Sequence, residues 1–255
     1  MASRPSFDPR LAVIAPRPAR SLEPTLGQQQ LRPDRLAEFF ALAAKRPDFP
    51  QWAPELTHDR RRPLSPLEPQ ETIPAAVLIT VIADASPQVV FTTRTSHLAS
   101  HAGQISFPGG RTEPSDQSPR HTAIREAQEE IGLEPARIEV LGSLPEYFTV
   151  TGYQVTPVVA LMQGPSIFKP DPFEVEDVFC VPLEFLMNPA NHQLRMLDAA
   201  QSPTQAQISF YAMPYCSPDH AGREFFIWGA TAAMIRNLYH FLSAASAQAE
   251  VQQEK

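Results

Sequence analysis

Ala75 to Ala83 is a nearly continuous apolar run, carrying Val77, Leu78, Ile79, Val81 and Ile82 and broken only by Thr80. It lacks the alternating polar positions of a sheet with one wet face, so it reads as a strand buried on both faces. Turn residues follow from Asp84 to Gln88, and Val89–Arg94 returns as a second strand, so the pair is expected to form a hairpin. Further strands are expected at Ile105–Phe107, Ile138–Leu141, Tyr153–Leu161, Val175–Val181, Ile208–Met213 and Glu224–Ile227. Helical spacing marks Pro119–Ile131, stopped by Gly132, and Gly229–Gln248, with Ala233, Ile235, Leu238, Phe241 and Leu242 for a buried face. Runs of strands with helices between some of them point to an α+β chain, an α/β/α sandwich around a mixed β-sheet.

The first seventy residues have a different texture, crowded with proline and arginine. One helix is expected there, Pro33–Lys45, with Leu36, Phe39, Phe40, Leu42 and Ala43 as its apolar stripe, Pro33 in its first turn and Pro47 beyond its end. Arg60-Arg61-Arg62 and the prolines after it read as a linker or a strap, either an anion site or a solvated turn. The expected organisation is an extension over 1–70 outside the catalytic core, a main domain over 71–248 and a polar, fraying tail over 249–255.

Composition narrows the function. A net charge of −7 argues against nucleic-acid binding, which needs a basic surface. Two cysteines, Cys180 and Cys216, build neither a disulfide framework nor a CxxC metal site. No apolar run reaches the length of a membrane helix, and prolines interrupt any signal-peptide core, so a cytoplasmic protein is the default expectation.

The chemistry is concentrated in Gly109–Leu133. On the expected helix Glu126 stands three residues before Glu129 and four before Glu130, which puts three carboxylates on one edge. Like charges so spaced cost roughly 0.2–0.5 kcal/mol a pair. Arg125 reaches Glu129, and no lysine on the helix relieves Glu126 or Glu130. Alone, such an edge is an ordinary solvated surface. Here it follows Phe107-Pro108-Gly109-Gly110, a strand entering a glycine turn that lets a ligand approach the backbone. Carboxylates beside exposed backbone suit Mg2+ or Mn2+ and phosphoryl chemistry.

These residues resemble the Nudix box: Gly, five residues, Glu, seven residues, then Arg-Glu-U-x-Glu-Glu-x-Gly-U, with U apolar. Gly110 opens it, and Arg125–Leu133 matches its second half at every fixed position. Asp116 stands where the Glu is expected, eight residues before Arg125 instead of seven. The resemblance covers most of 75–245 and is similar in detail to coenzyme A diphosphatases. Thr92-Thr93-Arg94 and Leu98–Phe107 resemble that subfamily's signature upstream of the box, with Ala99 replacing an arginine. Tyr153–Val159, Glu174–Phe179, Asn188–His192 and Ile227–Ala232 resemble it further on.

The resemblance implies a Nudix-type sandwich and Mg-dependent hydrolysis of coenzyme A or its derivatives to 4′-phosphopantetheine and 3′,5′-ADP. ADP-ribose or dinucleotides are the alternative substrates, and a non-catalytic Nudix-fold binding module is the alternative of another class. Glu126, Glu129 and Glu130, with the Gly109 carbonyl, are the expected metal ligands. Arg125 is expected to hold a neighbouring carboxylate, and the general base is a box glutamate or Glu174. Arg94, His101, Gln104, Gly110 and Arg111 are the expected substrate contacts, although His101 also fits a structural role, as do Trp228 and Cys180. The expected partner is a small nucleotide, with no nucleic acid or membrane; a homodimer is one assembly open to the chain.

Overall fold

The computed structural model describes residues 8–16, 23–57, 72–96, 103–164, 167–198 and 207–253. Arg60 to Arg62, Ala99 and His101 lie outside the described residues.

The chain begins with β1 (Val13–Ile14) and α1 (Pro33–Lys45), followed by β2 (Ile73–Ile82), β3 (Gln88–Arg94), β4 (Ile105–Ser106) and β5 (Gly109–Arg111). Then come α2 (Pro119–Ile131), β6 (Ile138–Ser143), β7 (Tyr147–Phe148), β8 (Tyr153–Met162), β9 (Val175–Pro182) and the single turn α3 (Leu183–Leu186). Strands β10 (Gln193–Leu197), β11 (Ile208–Cys216) and β12 (Glu224–Trp228) precede the final helix α4 (Gly229–Gln253). The two α-helices with proline at their start, α1 and α2, have the bounds expected from sequence. Gly132 closes α2 in the left-handed conformation (φ 66°), where a Cβ would be strained.

The apolar run forms β2 at the centre of an eight-stranded sheet. It pairs parallel with β8 along its whole length, from Ile73 opposite Tyr153 to Ile82 opposite Met162. Its pairing with β3 is short, Val81 with Val89 and Ile82 with Gln88. Thereafter β3 turns to β9 and β4, and β5 takes up the lower half of β2, with Ala75 opposite Arg111 and Val77 opposite Gly109. That exchange of neighbours delivers the glycine turn to the sheet. Ala76, Leu78 and Ile82 face Ala123, Ala127 and Ile131 of α2. Ala75, Ile79 and Val81 face the opposite way, into a larger core with α1 and α4. The result is the expected helix–sheet–helix sandwich. The expected strands at Ile208 and Glu224 belong instead to a second, antiparallel sheet ordered β1-β10-β11-β12.

Residues 23–57 pack against the main domain. Leu26, Leu31, Leu36, Phe39, Phe40, Phe49 and Leu56 lie in the same core as α4. The Phe40 and Phe241 ring centroids are 4.5 Å apart. A buried arginine of α4, Arg236, pins this segment through Glu23 and through Glu55 at 2.8 Å. Glu55 also accepts from the Tyr211 hydroxyl at 2.8 Å and lies 2.8 Å from His240 Nε2. Burial opposes ionisation of Glu55, but the bonds from His240 and Arg236 hold its carboxyl down at about 2. The helix α4 continues past the expected start of a frayed tail to Gln253, because Ala249 still has core to cover.

His192 sits behind Arg236. Its Nε2 lies 2.7 Å from the Leu186 carbonyl and its Nδ1 3.1 Å from Arg236 Nη1. A carbonyl only accepts and a guanidinium only donates, so the ring is neutral with its proton on Nε2. Burial, reinforced by Arg236 and opposed by the Leu186 carbonyl, pushes the imidazole down to about 4. An unfolded histidine takes its proton near pH ~6.5. As pH falls below that value the unfolded chain binds the proton first, so stability drops until the folded ring also titrates near pH 4. The expected loss across that window is about 3 kcal/mol. Urea unfolding at pH 7, 5.5 and 4.5 measures it, and His192→Gln should flatten that part of the profile.

Candidate active site

A cleft of about 610 Å3 opens between the β5 turn, the acidic edge of α2 and the start of α4. Arg94, Gln104, Gly109, Gly110, Arg111, Glu126, Glu130 and Glu174, all singled out from the sequence, line it together. Glu129 is not in the lining: its side chain is 60% exposed and its carboxylate lies 2.9 Å from Arg125 Nη1.

Each carboxylate is set by a backbone feature. Gly110 places its Cα so close to Glu126 that an added Cβ would lie 2.5 Å from the carboxyl carbon. Gly109 packs equally tightly on β2, where a Cβ would meet the Ala76 carbonyl oxygen at 2.4 Å. Its N–H donates to Glu130 Oε2 at 3.1 Å, and Arg94 Nη1 stands 3.5 Å from the other oxygen. Burial pushes the Glu130 carboxyl up to about 8, against the pull of that N–H and of Arg94; Glu126 and Glu174 add to the rise. Burial also raises Glu126, opposed by Arg125 and assisted by Glu129 and Glu174.

Arg125 organises the edge from behind. Its Nε and Nη2 bind both oxygens of Asp116, at 3.1 and 3.0 Å. Its Nη2 also lies 3.0 Å from Glu126 and donates to the Arg111 carbonyl at 3.0 Å. The Asp116 side chain is fully enclosed and accepts a third bond from the Glu113 N–H at 2.9 Å. Bonding to Arg125 outweighs burial and holds the Asp116 carboxyl well below the usual carboxylate range. The shorter acid with one extra spacer residue thus reaches the arginine. The signal in the sequence is the pairing of a side chain one methylene shorter with one additional residue before Arg125.

Ser106 lines the cleft with its hydroxyl 3.3 Å from the Thr92 hydroxyl, and among the described residues no base stands behind it. Cys180 is in β9, and burial pushes its thiol up to about 11. Neither is an activated nucleophile. Tyr153, Thr149, Thr151 and Trp228 also line the cleft. From sequence alone Tyr153 belongs to a strand and Trp228 to a helix entry, and neither is marked as a site residue.

Among the described residues, no three Asp, Glu, His or Cys side chains are gathered closely enough to hold a metal ion. The donor chemistry nonetheless fits a hard divalent cation: Glu126, Glu130 and Glu174 offer only oxygen, on a cleft open to substrate. Burial raises both Glu126 and Glu130, and a cation held between them would favour their carboxylate forms. No described helix is long and apolar enough to cross a membrane.

The NUDIX domain family matches residues 72–201, from the start of β2 past the end of β10. The chain belongs to the Nudix family, and the fold and the box residues around this cleft make it a Nudix hydrolase. It is 37% identical over 164 residues to the "Uncharacterized Nudix hydrolase NudL" of Pectobacterium atrosepticum, covering 64% of this chain and 80% of that one. The protein of the same name from Shigella flexneri is 35% identical over 177 residues, covering 69% and 86%. Among solved structures, a C. elegans Ap4A hydrolase complex aligns with a TM-score of 0.38 and 19% identity, over 43% of this chain and 80% of that one.

Removing the Asp116 carboxylate leaves Arg125 partly buried and drawn wholly onto the acidic edge. Asp116→Ala is expected to cost about 1–2 kcal/mol of stability, since charge-assisted bonds are lost while Arg125 keeps Glu126 and Glu129. It should also lower hydrolysis in the fraction that stays folded. Denaturant unfolding and activity measured on the same preparation check both effects.

Proposed function

We propose that this Nudix hydrolase cleaves the pyrophosphate of coenzyme A or its derivatives, giving 4′-phosphopantetheine and 3′,5′-ADP. One observation carries the substrate reading. Two stretches with the coenzyme A diphosphatase pattern, Gln104–Gly110 and Ile227–Ala232, are far apart in sequence, yet Gln104–Phe107, Gly109, Gly110 and Trp228–Thr231 line one cleft with Glu126, Glu130 and Glu174. The cleft lining also mixes hydroxyl groups with Val150, Val155 and Met234, which suits a substrate with both anionic and apolar parts.

Glu126 and Glu130 would hold a divalent cation, with Glu129 joining them only on leaving Arg125. When bound, such a cation draws charge from the phosphate oxygens and makes water more acidic. Arg125 keeps Glu126 aimed at the cleft through the bond that Asp116 backs. The Gly109 N–H fixes one oxygen of Glu130. Water attacks one phosphorus, its proton passes to a box glutamate or to Glu174, and the bridging P–O bond breaks with the electron pair on the departing phosphate. With no activated serine or cysteine at the cleft among the described residues, direct attack is favoured over a covalent enzyme intermediate.

The test is a substrate panel with Mg2+: coenzyme A, an acyl-coenzyme A, ADP-ribose and a dinucleoside polyphosphate. Coenzyme A or its acyl form should give the highest kcat/KM; cleavage of ADP-ribose with coenzyme A untouched would overturn the substrate reading. On the preferred substrate, Glu126→Gln and Glu130→Gln should each lower kcat by more than about a hundredfold with the unfolding midpoint kept.

A further inference from the structure

The cleft holds arginines with very different neighbours. Arg94 faces Glu130, and Arg125, behind the cleft wall, is engaged by Asp116, Glu126 and Glu129. Arg111 has no carboxylate partner among the described residues. Its Nε and Nη2 both donate to one neutral oxygen, the Tyr153 hydroxyl, at 2.9 and 2.6 Å. The guanidinium carbon also lies 5.3 Å from the centroid of the same ring. The charge of Arg111 is therefore held in place without being cancelled.

An exposed arginine on a flexible stem ordinarily samples many rotamers, and fixing it costs entropy. Here both ends are tied. The Arg111 backbone pairs with Ala75 across β2 and its carbonyl accepts from Arg125. Its head is gripped by a tyrosine anchored at the start of β8, opposite Ile73. Two of five guanidinium N–H groups are used, which leaves donors for an oxyanion. Arg111 directly follows Gly110, the glycine that backs the Glu126 carboxyl, so this cation borders the acidic edge.

We propose that Tyr153 is a positioning residue that holds Arg111 over the cleft as the contact for a phosphate of the substrate. The inference rests on the reading of the cleft as a site for a nucleoside diphosphate derivative, and it adds a residue that the sequence had not assigned. The phosphate is either in the pyrophosphate itself or the 3′-phosphate of the adenosine; both offer the same oxyanion. Tyr153 touches no reacting atom. Its effect falls on binding, through Arg111.

The test is calorimetric binding of ADP and of 3′,5′-ADP to the full chain in EDTA. ADP is common to coenzyme A and ADP-ribose, so the result does not depend on which of them the enzyme hydrolyses. Arg111→Ala should weaken ADP or 3′,5′-ADP binding about tenfold or more, since a charge-assisted bond is lost. Tyr153→Phe keeps the ring and removes only the acceptor, and should weaken the same ligand about three- to tenfold. The double variant should bind no worse than Arg111→Ala, because the tyrosine acts through the arginine. In turnover, Tyr153→Phe should raise KM with kcat changed less than about twofold. A loss confined to 3′,5′-ADP supports the proposal and identifies the 3′-phosphate; an equal loss on both ligands supports it and identifies a phosphate they share. Unchanged binding in Arg111→Ala would overturn it, as would additive losses in the double variant. If Arg111→Ala does not fold, Arg111→Lys, which keeps the charge but not the two-pronged grip, serves in its place. Wild-type binding of ADP without cleavage of coenzyme A would count against the substrate reading alone.

Discussion

One guanidinium holds the catalytic end of this molecule together. Arg125 meets the carboxylates of Asp116, Glu126 and Glu129 and the carbonyl of Arg111. Those partners come from the loop before α2, the acidic edge of α2 and the end of β5. A helix edge with three glutamates is unfavourable by itself, and a buried aspartate is more so. Brought onto one planar cation with several donors, they become a fixed frame. Glu126 and Glu130 are then left facing the cleft with burial working against their ionisation, a condition that a divalent cation would relieve.

A second arginine plays the matching part at the other end of the cleft wall. Trp228 to Thr231, at the start of α4, line the cleft, and Thr231 donates to the Ile105 carbonyl at 3.0 Å. Further along α4, Arg236 draws in Glu23 and Glu55, while Asn237 exchanges bonds with the backbone of Leu56 at 2.5 and 3.2 Å. The segment 23–57 therefore braces the helix whose first turn forms one wall of the site. Its hydrophobic side chains finish the core on that face of the sheet, opposite the one α2 covers.

Much of this was legible in the sequence where local chemistry decides the structure. Proline at the first helical position and glycine past the last fixed the bounds of α2, and Pro33 and Pro47 framed α1. The long strands β2 and β8 announced themselves by apolar runs. The short strands were not legible: β1, β5, β7 and β10 have no pattern of their own and exist through what they pair with. β5 is Gly-Gly-Arg, a turn by composition, made a strand by the lower half of β2. The box glutamates were readable from spacing, but their division was not. That Glu129 lies on Arg125 while Glu130 is buried against Gly109 depends on how α2 is rotated over the sheet. Tyr153 was invisible as a site residue, since its role arises only when β8 sets it beside Arg111.

The central claim is that Glu126 and Glu130 together form the cation site on which hydrolysis depends. Electron paramagnetic resonance titration with Mn2+ tests it without substrate. The wild-type chain should take up Mn2+, and the Glu126→Gln/Glu130→Gln double variant, folded by circular dichroism, should lose that uptake. Equal Mn2+ binding by the two proteins would contradict the account.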